Sequence, residues 1–512
     1  MNTLDPVKAR RPLSWRLGRP PKPRQQAVID IGSNSVRLIV YHITGRSIVP
    51  RINEKVMAGL GNGVSETGKL YPEGVKSALT ALSRYEAICA SIGVTDIRAI
   101  ATAAVREADD GKNFCDEVLD TTGIRVRVLT GAEEAHFAAL GVVAALRKPT
   151  GLIGDLGGSS LELVKCNEGK LATGKTYRVG PLALQAASKS SPADIQARID
   201  KELQSQGKIP KADVFYAVGG AWRAFAKVYM HYKHYSLHVL QSYSIPADEA
   251  VALCDLLIDP KSKVQSLAKS VAGKRYANLN LTAQALKSVL LACGANRMTI
   301  SAYGVREGLV FDSMEEEYKG LDPMLAGITS LARPDTSQVH FSSGLREFMQ
   351  GVLSTLEPVF GEDGKIDMRL ITACFILADI GAIMHPDHRA DIARQIVLRG
   401  PYTGIDHAGR VFMGLVTGFR YNRKFHLTQL ENNTLSVEQV QRAKEIASLI
   451  RVAAEFSCRT ERILKRGYLS VEDGKLILNI RPRYKQLVSE SVLRRLGQAA
   501  NILGLEPEVP VL

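Results

Sequence analysis

The 512-residue chain is 45% hydrophobic and 23% charged, the proportions of a soluble globular protein with length for three or four domains, each able to bury its own core. Its seven cysteines, at 89, 115, 166, 254, 293, 374 and 458, show no metal-ligand spacing and read as reduced thiols, which excludes a disulfide framework and points to the cytoplasm. The net charge is +14, and a positive excess of that size implies a polyanionic partner without choosing among nucleic acid, an anionic surface and an inorganic polyanion.

The first 24 residues hold seven lysines and arginines against Asp5, a net +6 that leaves +8 for the remainder. No apolar segment follows them, so they read as a disordered basic arm and not as a secretory signal. Gln26 to Val40, QAVIDIGSNSVRLIV, then reads as strand, tight turn, strand. Arg51 to Gly68 reads as a loop over a cleft rim, and Pro72 to Ile92 as a helix with an apolar stripe.

A third strand, Ile97 to Ala101, ends in Thr102-Ala103-Ala104-Val105-Arg106. Thr102 and Arg106 either hold a phosphate oxygen on one face or are an N-cap and a solvated arginine. A strand at Ile124 to Leu129 runs into Thr130-Gly131-Ala132-Glu133-Glu134 and a helix to Leu146. Thr130 and Glu133 fit a capping box, which gives Glu133 a structural duty. Glu134 has no such duty: projecting into a cleft it can act as a general base on water, and otherwise it only favours the helix dipole.

Gly151 to Lys165, GLIGDLGGSSLELVK, is the stretch around which the rest is arranged. Gly157 and Gly158 permit a sharp turn with N–H groups close to an anion, Ser159 and Ser160 add hydroxyls, and Asp155 and Glu162 supply the hard oxygen ligands that Mg²⁺ prefers. A glycine-serine hairpin is also an ordinary turn. It repeats the first hairpin at an offset of 125 residues, however, with Asp30 on Asp155, Gly32 on Gly157 and Ser35 on Ser160. Such a repeat implies a duplicated α/β lobe whose two hairpins share a cleft, with Arg37 standing where Glu162 does.

The second lobe continues through a strand at Leu171 to Tyr177, the loop 178–181, a helix at Pro192 to Gln206, and a strand at Val214 to Val218 followed by Gly219-Gly220 and a helix. That last unit receives a phosphate or nucleotide, or is close packing of helix on sheet. From Leu321 the pattern is helical. Leu370 to Met384 is too short for a membrane span, is interrupted by Asp379, and reads as a buried helix. His385, His388 and His407 lie near several aspartates, but the His-Asp dipeptide of a metal-dependent phosphohydrolase is replaced by Ala378-Asp379. The last part, from Val437, is an amphipathic helix with many basic residues and a strand at Lys475 to Ile480.

Five motifs in order, DIGSNS, TAAVR, TGAEEA, DLGGSSLELV and YGVREG, resemble those of the exopolyphosphatase/guanosine-pentaphosphate phosphohydrolase family. The resemblance implies α/β duplicated actin-like, ribonuclease-H-like lobes, then an α-helical HD-like domain and a small C-terminal α+β domain. The corresponding boundaries are 1–24 for the arm, 25–147 and 148–318 for the lobes, and 319–432 and 433–512 for the two further domains. It implies Glu134 as the base; Asp30, Asp155 and Glu162 as magnesium-site acids; and Ser33, Asn34, Ser35, Thr102, Arg106, Gly157, Gly158, Ser159 and Ser160 around the terminal phosphates.

The activity so implied is processive, Mg²⁺-dependent removal of terminal phosphate from inorganic polyphosphate, with K⁺ a candidate monovalent companion. The alternatives are guanosine pentaphosphate hydrolysis and a non-catalytic polyphosphate sensor. A homodimer, no membrane and no specific nucleic acid complete the expectation. The chain departs from the family pattern in having Ser159 for a third glycine, Pro181 for a cysteine, and Ala378, Asp391 and Asn422 where histidines are usual.

Overall fold

The computed structural model describes residues 22–185, 191–332 and 336–510. The basic arm expected over residues 1–24 lies outside them up to residue 21. The apolar runs after Arg24 form β1 (Arg24–Ile31) and β2 (Val36–Thr44), followed by β3 (Ser47–Val56), β4 (Ile97–Ala101) and β5 (Val126–Val128). These make one sheet in the order β3-β2-β1-β4-β5, in which β1 is antiparallel to β2 and parallel to β4.

The second lobe contains β6 (Gly151–Leu156), β7 (Leu161–Asn167), β8 (Lys170–Leu171), β9 (Lys175–Tyr177), β10 (Val214–Val218), β11 (Ser244–Pro246) and β12 (Arg297–Ile300). Their order is β11-β12-β10-β6-β7-β8, with β9 also on β7. Leaving β11 aside, this is the plan of the first sheet over again. The register agrees: Asp30 faces Arg37 as Asp155 faces Glu162. Gly32 N–H donates to Ser35 O at 3.0 Å as Gly157 N–H does to Ser160 O at 2.9 Å.

Two helices stitch the lobes together. The helix Gly131–Ala145 presents Ala135, Ala139 and Val142 to the second sheet, while Val305–Asp312, at the end of the second lobe, packs Leu309, Val310 and Phe311 against the first. They cross so closely that a Cβ on Gly308 would lie 1.8 Å from Phe137 O. Only glycine fits there.

The structure departs from the sequence expectations in three stretches. The loop expected from Arg51 is strand as far as Val56, because exposed Arg51, Asn53 and Lys55 alternate with Ile52 and Glu54 on a strand at the edge of the sheet, where charge is tolerated and discourages further pairing. The strand expected over Leu171 to Tyr177 is divided into β8 and β9, both on β7. The buried helix expected over Leu370 to Met384 occupies Lys365–Ile376 and then breaks into turns. There Tyr421 Oη donates to Ala378 O and accepts from Gly381 N–H, taking bonds that a continuing helix would have made itself.

Beyond the lobes, helices from Pro323–Ala332 to Val437–Ser457 precede a three-stranded sheet, β13 (Gly467–Glu472), β14 (Lys475–Ile480) and β15 (Glu506–Glu508), with the helix Glu490–Leu503 packed on it. One continuous apolar cluster runs through all of this from Met324 to Ala500. Among the described residues no helix is long and apolar enough to cross a membrane.

Arg46, in the turn between β2 and β3, ties the regions to one another. Its guanidinium donates to Val143 O and Leu146 O at the C-terminal end of the helix Gly131–Ala145, and to Lys319 O and Leu321 O in the connection to the helical region, at 2.7–3.0 Å. Burial pushes its pKa down to about 10, still far above neutrality, so it stays charged and complements the helix dipole. Replacing Arg46 by leucine strands four carbonyls and is expected to cost about 2–4 kcal/mol, read as a lower denaturant midpoint than that of the unsubstituted chain.

Candidate active site

The two hairpin turns face one another across a cleft of about 510 Å³ lined by Asp30, Gly32 to Ser35, Thr102, Glu134, Asp155 and Gly157 to Ser160. Each turn is strapped from outside. Gly61 N–H and Gly59 N–H donate to Ser33 O and Asn34 O at 2.7 and 3.2 Å, while Gly180 N–H and Leu182 N–H donate to Ser159 O and Gly158 O at 3.1 and 2.8 Å. With these carbonyls engaged, the turns lose the partial negative charge that would repel an anion. The second strap requires glycine at 180, where a Cβ would come within 2.4 Å of Gly158 O. Pro181 opens the helix Pro181–Gln185 at a position where a missing N–H is without consequence, and Leu182 makes the neighbouring bond to the turn.

The two glutamates of TGAEE separate as their chemistry suggests. Glu133 closes a capping box, accepting from Thr130 N–H at 2.9 Å, and pairs with Arg127. These bonds, the backbone one first, hold its carboxyl down at about 2. Glu134 points into the cleft, 3.3 Å from Arg106 Nη1, which also donates to Leu129 O at 2.8 Å. Burial, and then the Asp155 charge, push Glu134 up to about 7 against the pull of Arg106. Thr102 makes no side-chain cap bond to the helix that follows it, and it lines the cleft.

The remaining acids are crowded. Burial pushes Asp155 up to about 6, with Arg223 opposing and Asp30 adding to the rise. Glu162 sits behind the turn, accepts from Ser160 Oγ at 2.6 Å, and is raised by burial and then by Glu134 and Asp155. Asp30 is raised by burial and restrained by Arg306, whose Nε lies 3.7 Å away. So many desolvated carboxylates repel one another, and a divalent cation would relieve them. Asp155, in the cleft wall, and Glu162, behind it, are the acids that would hold one. Among the described residues no three histidines, cysteines or acids are arranged to hold a metal ion by themselves, so most of its ligands would be water and phosphate oxygens, the manner in which Mg²⁺ is usually held.

The site residues read from the sequence thus gather around one cleft, with Arg106 and Glu162 one layer behind its wall. Sequence reasoning missed the cationic half: Lys55, Arg223, Lys274, Arg275 and Arg306 also line it. The YGVREG motif was the signal for Arg306. Arg275 carried none, because it lies in the short helix Gly273–Asn278, which only the fold brings across Gly220. The rings of His385 and His388 lie 5.8 Å apart and tilted by 39°, whereas His407 lies apart, hydrogen-bonded to Tyr235 Oη at 2.7 Å.

Residues 39–317, more than half of the chain, match the model of the Ppx/GppA phosphatase family. The chain belongs to that family. Residues 342–509 match a second model, described as exopolyphosphatase, C-terminal. Exopolyphosphatase 1 of Mycobacterium leprae is 31% identical over 139 residues, 27% of this chain and 41% of that one. Exopolyphosphatase 2 of Mycobacterium tuberculosis is 31% identical over 149 residues, 27% and 47% of the two chains. The match thus spans less than half the length of these relatives. Retrograde regulation protein 2 of Saccharomyces cerevisiae is 23% identical over 453 residues, 81% of this chain and 75% of that one. Among solved structures, the Aquifex aeolicus Ppx/GppA family member has a TM-score of 0.51 at 24% identity, covering 56% of this chain and 96% of its own. An exopolyphosphatase from Cytophaga hutchinsonii has 0.50 at 21%, covering 57% and 99%. These two share the actin-like two-lobe fold, and the helical C-terminal region extends beyond it.

The raised pKa of Glu134 makes a stability prediction. The unfolded carboxyl ionises near its ordinary 4.5 and the folded one near 7, so above pH 4.5 ionisation favours the unfolded chain, and the penalty grows until about pH 7. Glu134→Gln is therefore expected to melt at a higher temperature than the unsubstituted chain at pH 8, with a gap that closes toward pH 5. An equal or lower melting temperature at pH 8 would show that Glu134 is not strained by burial.

Proposed function

We propose that this cleft hydrolyses the terminal phosphoanhydride of inorganic polyphosphate. The observation that carries the reading is Glu134, released from capping by its neighbour, held by Arg106 and directed between two anion-receptive turns. The terminal phosphoryl group would lie between Ser33 to Ser35 and Gly157 to Ser160. Glu134 takes a proton from water as its oxygen bonds to phosphorus; the bond to the bridging oxygen breaks, orthophosphate forms, and the shortened chain departs with the electron pair. Arg106 favours the ionised form of Glu134 and orients it, while Arg223 and Arg306 offset charge on the phosphoryl oxygens. Mg²⁺ held by Asp155 and Glu162 would add electrostatic stabilisation of the same charge. Lys55, Lys274 and Arg275 give the remainder of the anionic chain a basic path, which favours an inorganic chain over guanosine pentaphosphate.

Glu134→Gln is expected to lower phosphate release from long-chain polyphosphate with Mg²⁺ by roughly 10²–10⁴-fold while still binding it. Release from guanosine pentaphosphate alone would move the reading to the nucleotide, and binding without cleavage of either would make the protein a sensor.

The acid limb follows from the same residue. Glu134 must be ionised to act, so kcat/KM is expected to rise with pH through about 7. Arg106→Gln removes the cation that favours the carboxylate and should move this limb to higher pH. A limb that stayed in place in that variant would remove Glu134 from the titration.

A further inference from the structure

A second strongly basic site lies in the helical region, and no residue lines both it and the cleft between the lobes. It consists of two adjoining cavities, of about 330 and 570 Å³, which share Arg451 and Arg495. The smaller is walled by Arg389, Arg420, Arg451, Arg459 and Arg495, with Glu455 its single lining acid. The larger adds four more basic side chains and no acid, and it differs in having an apolar wall of Phe419, Ala447 and Ile502 beside the amides of Gln498 and Asn501.

The arginines are not neutralised by their surroundings. Asp379 stands 3.7 Å from Arg420 and 3.9 Å from Arg459, and Glu455 stands 3.6 Å from Arg495. Two carboxylates therefore face five guanidiniums. Arg420 Nε is buried without a hydrogen-bond partner. Arg451 is pushed down to about 10, by burial first and then by repulsion from Arg495, Arg420 and Arg423. Packing like charges in a partly desolvated hollow is costly in the absence of a counter-anion. Guanidiniums in such an array match the oxygens of phosphate by paired, charge-assisted bonds.

We propose that the joined cavities bind a nucleoside oligophosphate, with its phosphates among the arginines and its nucleoside against Phe419 and Ile502. The volumes suit a ligand of that size. A bare phosphate chain has no use for the apolar wall, whereas a base both stacks on such a surface and offers edges to Gln498 and Asn501. The site is separate from the hydrolytic cleft and does not depend on what the cleft cleaves.

The test is photolabelling of the full-length Glu134→Gln chain with 8-azido-ATP, followed by mapping of the modified peptides by mass spectrometry. Labelled peptides between residues 419 and 502 are expected, protected by ATP and protected by inorganic tripolyphosphate only at roughly tenfold or higher concentration. Adding Arg451→Gln and Arg495→Gln should lower labelling there by roughly tenfold or more, with labelling of any cleft peptide unchanged. Absence of ATP-protected label between 419 and 502 would overturn the proposal, as would label that survives loss of both arginines in a folded chain. Tripolyphosphate protecting as well as ATP would also overturn it, since the site would then take an inorganic anion. Should the arginine variant fail to fold, as judged by circular dichroism, the peptide map and the competition in the arginine-intact chain decide the matter.

Discussion

The mutual repulsion of buried carboxylates is the constraint on which the cleft depends. Asp30, Glu134, Asp155 and Glu162 are brought together by two hairpins and a helix N-terminus, and each is harder to ionise than it would be in water. An isolated cluster of this kind would take up protons or open. Here Arg106, Arg223 and Arg306 offset part of the charge, and the scaffold behind them is rigid enough to hold the rest. The consequence is a carboxylate poised near neutrality beside a concentration of cations, an arrangement suited to moving a proton next to phosphate.

Rigidity comes from the duplication. Each hairpin turn is braced by a loop of its own lobe, and each lobe's sheet is covered partly by a helix contributed from across the chain. Because the helices Gly131–Ala145 and Val305–Asp312 meet at glycine, backbone touches backbone, and a change in the angle between the lobes must move Glu134 with them. Arg46 extends the same linkage into the helical region by binding carbonyls on both sides. The acids of the cleft are therefore fixed by contacts well outside it.

The helical region shows a different solution to buried charge. Ala378 and Asn422 carry no imidazole, and Asp379 is faced by Arg420 and Arg459. The excess is now cationic. The cleft between the lobes sets buried carboxylates among lysines and arginines, whereas the helical region sets only Asp379 and Glu455 against five guanidiniums.

How much was legible in the residues depended on how local the physics was. The hairpin repeat, the capping duty of Glu133 and the consequent freedom of Glu134 follow from turn chemistry and from spacings of a few residues, and the sequence by itself determined them. So did the duplicated sheet, because a repeat at a fixed offset carries its strand order with it. What only the tertiary structure decided was which distant cations face those acids. Arg275 reaches the cleft across Gly220, Tyr421 ends the helix expected to run to Met384, and Arg420, Arg451 and Arg495 converge from three separate helices. These contacts depend on how elements far apart in the chain pack, and no periodicity or motif records that. A charge in a sequence has a sign, but its partner and its dielectric surroundings exist only once the chain is folded.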